Sequence, residues 1–412
     1  MRKHLTVNHN GPAAGDTDER APLSPCSSGE IDVFTTMKSQ RRSCGGRMAR
    51  FAGAAVALAL NAAGAQAADP AGARPAPALP DSPVAAQAPA PLGVFGVDML
   101  GEGKISVSLM PSFVRLGGPQ MGRTQVSPPY VISNVVSGRT PVGAHLLRMV
   151  PTSFEFFSQS ASIAYGLTPN ITLVAATSFL EKNVNMLTFK GLAGFTPLGT
   201  STGHTEGFGD TMVAGVWRVY QDGMNQVNVN LGLSLPTGGT TNVQTLLLPN
   251  GTAPSNIAFY GMQEGSGTVD ALPGIAYSGV LNAWSWGASY RARLALGDNT
   301  QGWRYGEYQE VNAWGGYTWT PGLETTLRIN ASTQTAIHGL DPLIKGYAQG
   351  ANPYFYGGEH VDVFGGANIS GRFFGVPAAT LAIEAGLPLY QNLNGPQAAR
   401  DWQIGMALRY KI

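Results

Sequence analysis

The sequence carries little charge for its length. Its 412 residues include 26 basic and 25 acidic ones, so 12% are charged, about half the roughly 25% of soluble domains. A formal net charge of +1 does not supply the basic field of a nucleic-acid binder. A hydrophobic content of 43% excludes an acidic disordered chain. The 54 glycines follow no Gly-X-Y repeat, which excludes collagen. A globular or membrane protein remains.

Cysteine and histidine are also scarce. The two cysteines, Cys26 and Cys44, precede a predicted cleavage site, so the mature chain has no disulfide framework. Two short pairs, His204 with Glu206 and His360 with Asp362, have a spacing that could chelate a metal. Because the histidines are few and scattered, we interpret them as solvated loop residues and predict no metal site and no cofactor.

No long apolar run follows the start of the chain. A basic run, Lys38 to Arg50, precedes a short apolar stretch over 51–60, and Ala65-Gln66-Ala67 ends it. This order is typical of a secretory signal peptide. A transmembrane helix is the alternative, but the stretch is too short and too rich in Ala and Gly. We therefore predict an N-terminal extension and signal peptide over 1–67. An Ala/Pro-rich periplasmic linker follows over 68–103.

From residue 104 onward the hydrophobic pattern has a period of two, which indicates strands with two different faces. Twelve strands are predicted, at 104–116, 153–166, 171–182, 207–220, 226–235, 267–278, 283–296, 305–319, 323–332, 360–370, 378–388 and 400–412. Short and long connections alternate between them. This alternation is typical of outer-membrane barrels, whose short turns gather at one rim and long loops at the other.

Aromatic residues on the apolar face lie near the short turns, as in an interfacial girdle. They are Tyr165, Trp217, Tyr277, Trp284, Trp286, Tyr317, Trp319 and Tyr410. We predict an all-β fold over 104–412, a closed antiparallel up-and-down transmembrane barrel of about 12 strands. A soluble sandwich or propeller is the alternative, but the polar faces carry Gly, Ser, Asn and Thr rather than Lys and Glu, and no blade-length repeat recurs.

Charged side chains fall on the inward face of the predicted strands. Charges facing lipid would cost about 2–4 kcal/mol each near the midplane, so inward placement is expected on cost alone. The predicted lumen-lining residues are Asp210, Arg218, Asp270, Arg291, Arg293, Glu310, Glu324, Arg328, Asp362, Glu384, Arg409 and Lys411. They either pair across the lumen and stiffen the barrel or line a selective pathway, and both roles can hold together. Their balanced charge argues against a strongly ion-selective pore.

Two of these acids follow glycines at strand starts. We expect Asp210 and Asp270 to organise the mouth of the barrel by accepting hydrogen bonds from backbone N–H groups or by pairing with an arginine such as Arg291.

Catalytic motifs are lacking. A barrel phospholipase needs a serine held by a histidine, and none of His145, His204, His338 and His360 has the expected His-x-Ser spacing. Gly199-Thr200-Ser201-Thr202-Gly203 matches Gly-x-Ser-x-Gly, but it lies in the predicted loop 183–206 and not at a strand-to-helix elbow, and the sequence contains no His-Glu-x-x-His. We predict that the protein is not an enzyme.

Several different short glycine-rich motifs follow one another along the chain. They are Gly207-Phe208-Gly209-Asp210-Thr211, Leu235-Pro236-Thr237-Gly238-Gly239, Gly265-Ser266-Gly267-Thr268-Val269-Asp270 and Gly386-Leu387-Pro388-Leu389-Tyr390-Gln391 with Asn394-Gly395-Pro396-Gln397. In this order, over about 104–412, the chain resembles the "MetA-pathway of phenol degradation" family of outer-membrane transporters of Gram-negative bacteria. The resemblance implies an outer-membrane barrel that admits aromatic or other hydrophobic compounds.

The sequence thus predicts a channel in the outer membrane of a Gram-negative bacterium. It would pass small hydrophobic or aromatic solutes passively, with outer-membrane lipid around it and loops 183–206 and 236–266 as gates or filters. A non-transporting structural or adhesive barrel with a plugged lumen is the alternative, and a lipid-modifying enzyme is a third. The solute, the direction of transport and the oligomeric state stay open.

Overall fold

The computed structural model describes residues 89–138 and 143–412. The predicted extension and signal peptide, and residues 68–88 of the predicted linker, lie outside the described residues. No helix among the described residues is long and apolar enough to cross a membrane.

Strands make up most of the described chain. They are β1 (Ile105–Gly122), β2 (Thr124–Gln125), β3 (Met149–Thr168), β4 (Ile171–Phe189), β5 (Pro197–Phe208), β6 (Thr211–Gln221), β7 (Asn225–Leu235), β8 (Val243–Thr245), β9 (Ser255–Ile257), β10 (Asp270–Leu281), β11 (Trp284–Ala295), β12 (Trp303–Arg304), β13 (Tyr308–Thr320), β14 (Leu323–Gln334), β15 (His338–Gly339), β16 (Gly358–Ser370) and β17 (Ala379–Lys411). One α-helix, α1 (Pro128–Asn134), and 3-10 turns at Tyr260–Met262, Gln349–Ala351, Pro353–Phe355 and Gly371–Phe374 lie in the connections.

The strands close into a ring. Its order is β17–β16–β14–β13–β11–β10–β7–β6–β4–β3–β1, and β1 pairs again with β17. Every neighbouring pair is antiparallel. Because β17 and β1 close the ring, each strand of this wall has a partner on both edges. The predicted closed antiparallel barrel is confirmed.

The last element, β17, reverses direction. A ring with only antiparallel neighbours needs an even number of segments, but the order above contains eleven elements. The 33 residues of β17 would also extend ~110 Å if straight. Its first part pairs with β16 and its second with β1, and the backbone N–H of Arg400 donates to Gln391 Oε1 at 2.8 Å. Counted as two, β17 brings the wall to the predicted twelve segments in the described chain.

The outer surface is an apolar band. Val107 and Leu109 of β1 are exposed, and so is Ile163 of the neighbouring β3. On the same face, the first ion pair is Arg115 with Glu155, about ten residues above the start of β1. Ten tilted residues cross the hydrocarbon core of a bilayer. The exterior therefore fits a membrane, with the Arg115–Glu155 pair at the upper border of the band.

Aromatic rings line the lower border of this band. Trp284, Tyr317 and Trp319 are next to the short turns, and their rings meet edge to face at 4.8 and 4.9 Å. Trp284 and Trp319 are exposed on the outside. Amphipathic rings in this position favour the membrane–water interface.

One predicted loop has a different structure. The predicted loop 183–206 is largely a hairpin, in which β4 continues to Phe189 and β5 returns beside it. β5 and β6 form one interrupted strand, because β4 pairs with β5 above Gly209 and with β6 below it. Apolar and polar residues alternate less regularly in this hairpin. The hairpin lies above the lipid-facing band, so neither of its faces has to be apolar.

The lipid-facing band predicts a specific cost. Leu231 lies at the middle of β7 and its side chain is 65% exposed. We expect Leu231→Arg to lower the free energy of unfolding in lipid vesicles by about 2–4 kcal/mol, because it moves a charge into hydrocarbon. The control is Val243→Arg, since Val243 is 55% exposed on β8 in a long connection. Equal losses in urea titrations of the two variants would contradict a lipid-facing exterior.

Candidate functional site

The inner face of the barrel is divided by charge. Small uncharged side chains, such as Ser112, Ser160 and Ser178, lie on the part built by β1, β3 and β4, where Lys182 of β4 lies higher and 3.7 Å from Glu264. Ion pairs cover the part built by β10 to β17. Directly opposed positions of an antiparallel pair project to the same side of the sheet, so side chains of two neighbouring strands can meet inside the barrel.

Two predicted arginines pair with acids on the adjacent strand. Arg291 Nε lies 2.5 Å from Glu310 Oε1, and these residues are register partners of β11 and β13. Glu310 also accepts hydrogen bonds from Tyr308 Oη at 2.6 Å and Asn312 Nδ2 at 3.1 Å.

The second pair lies higher in the barrel. Arg293 Nε is 3.7 Å from Asp270 Oδ2, while Thr268 Oγ1 donates to Asp270 Oδ1 at 2.5 Å. The arginine beside Asp270 is therefore Arg293 and not Arg291.

Arg328 is the most enclosed of the predicted lumen arginines. It forms a two-point ion pair with Glu384, at 2.9 Å from Nε and 2.6 Å from Nη2. Its Nη1 donates to Asn312 Oδ1 at 2.7 Å, and its Cζ lies 3.7 Å from the centroid of the Phe364 ring. Such a charge is retained in a buried site because every side of the guanidinium has a partner.

One charged lumen residue was missed by sequence reasoning. Arg400 donates to Asp362, and both line the interior. Strict alternation from Trp402 would place Arg400 outside. A bulge at this point, where Arg115 faces Trp402 but Leu116 faces Arg400, turns Arg400 inward. The sequence contains no separate signal for this bulge.

The remaining predicted residues lie apart from these pairs. Glu324 accepts hydrogen bonds from Ser285 and Asn368 at 2.5 and 3.0 Å. The others are near the short-turn end: Arg218 donates to Gln221 at 2.8 Å, Arg409 pairs with Asp98 at 3.1 Å, and Lys411 is exposed.

Asp210 holds a loop. It follows Gly209 at the break between β5 and β6, and its carboxylate accepts the backbone N–H of Gly238 at 3.0 Å and that of Ser266 at 2.8 Å. Ser266 Oγ donates a third hydrogen bond at 2.7 Å. Gly238 and Ser266 lie at the two ends of the 236–266 connection. Asp210 therefore fastens both ends of this connection to the barrel wall.

Residues 89–103, which we call the plug, lie inside the short-turn end of the barrel. The composition of 68–103 predicts an extended linker, yet Ala90, Val94 and Val97 are buried against Ala276 and Trp314. Seven of the fifteen plug residues are apolar, and those in this cluster meet apolar side chains that face inward at this level.

Side chains of the wall also hold the plug. Gln226 Nε2 donates to Val97 O and Asn228 Nδ2 to Gly96 O, both at 2.8 Å. Gly93 lies so close to Arg328 that a Cβ would be 2.3 Å from Nη2. Buried asparagine and glutamine thus satisfy the backbone of a segment that has no strand partner.

Long connections cover the opposite end. Their apolar core contains Tyr260, Trp303, Ile337, Ile344 and Met149 among others; we call it the cap. The rings of Tyr260 and Trp303 meet edge to face at 5.0 Å. Burial raises the pKa of Glu264, which lies under this cap, while the nearby Lys182 ammonium opposes that shift. The predicted gating connection 236–266 contributes to the cap.

A cavity of about 360 Å³ lies between plug and wall. Leu92 and Gly93 of the plug form one side of it. The barrel side includes Arg291, Arg328, Arg400, Tyr308, Phe364, Glu310, Asp362, Glu384, Ser112 and Val114. Among the described residues, no three His, Cys, Asp or Glu side chains are arranged to hold a metal ion.

The chain was compared with known proteins. No protein-family model and no curated protein matches it. Similar solved structures include an outer membrane channel from Pseudomonas putida F1, with 14% identity, 76% of this chain and 97% of that chain covered, and a TM-score of 0.47. The P. putida toluene transporter TodX shares 9% identity over 76% and 90% of the chains, with a TM-score of 0.38.

A third structure is the β domain of the Bordetella autotransporter BrkA, with 7% identity, 76% and 100% coverage and a TM-score of 0.39. These proteins differ in their stated functions.

Asp210 gives a testable consequence. In Asp210→Asn one carboxylate oxygen becomes an NH₂ group that faces N–H donors, so we expect a loss of about 1–3 kcal/mol in the free energy of unfolding. The matched control is Asp298→Asn, because Asp298 forms an exposed ion pair with Arg304 and should contribute only about 0–1 kcal/mol. Denaturant titrations in vesicles compare the two. The same loss in both variants would show that Asp210 does not fasten the connection.

Proposed function

We propose that the protein is a passive outer-membrane channel for small hydrophobic or aromatic solutes. The observation that supports this most directly is the water-accessible interior: the side chain of Arg291 lies inside a closed barrel and is still 47% exposed. A barrel that served only as a scaffold would gain nothing from an open polar cavity, because an unfilled core loses packing energy.

The plug is attached in a way that permits release. It contributes no strand to the ring, and the contacts described above are side-chain hydrogen bonds, a few apolar contacts and the ion pair of Asp98 with Arg409. Each such hydrogen bond contributes about 0.5–1.5 kcal/mol. Displacing the plug would therefore open the short-turn end without breaking the wall.

The solute class follows from the lining and from the resemblance of the glycine-rich motifs. Leu92, Val114 and Phe364 supply apolar surface within the cavity. Pockets of about 300–1,000 Å³ with this mixture accommodate small organic molecules. The resemblance to the phenol-degradation family supports aromatic compounds among them.

A non-transporting barrel is the second candidate. It is favoured by the plug at one end and the cap at the other, which together close the lumen in this structure.

Planar bilayers separate the two candidates. We expect the purified full-length protein to produce discrete conductance steps, because the plug is released without unfolding of the wall. The control is the same preparation after heat denaturation. Correctly folded protein, identified by a heat-shifted band on a gel, that leaves the bilayer silent would support the structural barrel instead.

A disulfide across the cavity tests whether the plug closes the channel. A Cβ at Gly405 would lie 2.9 Å from Leu92 Cδ2, and the chain's two cysteines both precede residue 68. We expect Leu92→Cys/Gly405→Cys to lose at least tenfold in conductance when oxidised and to recover on reduction. Leu92→Cys alone is the control. Unchanged conductance in the oxidised double variant would show that the plug is not the gate.

A further inference from the structure

Three ion pairs in the lumen share one orientation, whereas both side chains of the Arg328–Glu384 pair are buried and Asp98 is more exposed than Arg409. The side chain of Arg291 is 47% exposed and that of Glu310 is 5% exposed. For Arg293 and Asp270 the values are 34% and 2%. For Arg400 and Asp362 they are 25% and 1%. In each of these three pairs the carboxylate is embedded in the wall and the guanidinium faces the open interior.

The wall explains this orientation. Tyr308 and Asn312 hold Glu310, and Thr268 holds Asp270, so the shorter carboxylate side chains stay close to the strands. The longer arginine side chains reach over them toward the lumen. The hydrogen bonds that hold the acids in the wall therefore also place the paired arginines toward the lumen.

Equal numbers of acids and bases therefore do not give a neutral lumen. A charge acts on a solute according to its distance and to the dielectric between them. A solute in the cavity meets the guanidinium groups first, and low-dielectric walls focus that field. At these three pairs the lumen presents positive groups to a solute although each pair sums to zero.

Donor groups are available as well. Arg400 and Arg291 line the same cavity, and their side chains are 25% and 47% exposed. A guanidinium fork matches the two oxygens of a carboxylate. Phe364 and Tyr308 line the cavity beside these arginines, so an aromatic ring attached to the carboxylate has apolar surface to contact.

We propose that this cavity is a binding site for aromatic monocarboxylates, held by Arg291 and Arg400. The proposal rests on the proposed channel function for the route by which the solute arrives. It narrows the solute from hydrophobic compounds in general to those that carry a single negative group.

Binding in detergent tests the site without requiring conductance. Benzoate and the neutral benzamide have the same ring and nearly the same shape, and calorimetry with the full-length protein compares them. We expect benzoate to bind at least tenfold more tightly than benzamide. Equal binding of the two, or no binding of benzoate, would overturn the proposal.

Paired substitutions keep the wall charge balanced and so separate binding from misfolding. We expect Arg291→Gln/Glu310→Gln and Arg400→Gln/Asp362→Asn each to lose the preference for benzoate. Glu310→Gln alone keeps Arg291 and should strengthen benzoate binding. The control, Arg115→Gln/Glu155→Gln, removes an ion pair on the outer face and should change nothing. A preference that survives both lumen double variants would overturn the assignment to these arginines.

Bilayer recordings distinguish this proposal from the channel function. In a tenfold KCl gradient, the reversal potential should show anion preference in the wild type and a loss of it in the lumen double variants. Conductance without anion preference would overturn the carboxylate site and leave the channel intact. A silent bilayer with benzoate binding retained would overturn the channel and leave the binding site intact.

Discussion

The structure depends on the closure of a ring of antiparallel strands. In hydrocarbon no water can satisfy an open strand edge, so each backbone N–H and C=O of the wall needs a partner within the protein. The final element meets this requirement by reversing direction, which lets its first part pair with β16 and its second part with β1. Closure then fixes which side of each strand faces lipid. Every later property of the interior follows from this alternation.

Alternation forces charge and polarity inward, and the interior must then satisfy them. Neighbouring strands do this through ion pairs such as Arg291 with Glu310. The plug does it for its own backbone by accepting hydrogen bonds from Gln226 and Asn228. A polar interior of this kind can hold a segment without strand pairing, which an apolar core could not do. The alternation that keeps polar side chains out of the lipid also gives the plug hydrogen-bond partners that it can release.

The sequence predicts the parts of this protein that lipid constrains. Strict alternation in β7, β11 and the end of β17 located these strands to within a few residues, because each side chain there meets either hydrocarbon or lumen. The prediction weakened where the constraint ends. The β4–β5 hairpin stands above the band and was predicted as a loop. The plug has no periodicity, since its contacts come from distant strands. Arg400 depends on a bulge that shifts parity by one residue and leaves no local pattern.

The number of charged residues in the sequence also does not predict the electrostatic field inside the barrel. Parity predicts which ionisable residues can reach the lumen except where a bulge shifts it, as at Arg400, but the field inside also depends on how far each side chain projects. Carboxylates are short and accept hydrogen bonds from nearby hydroxyl and amide groups of the wall, whereas arginine is long and only donates. In the pairs Arg291–Glu310, Arg293–Asp270 and Arg400–Asp362 these properties separate the two signs radially, with the acid in the wall and the base toward the axis. A solute beside these pairs meets positive groups although the composition is balanced, so selectivity depends on side-chain length as much as on charge.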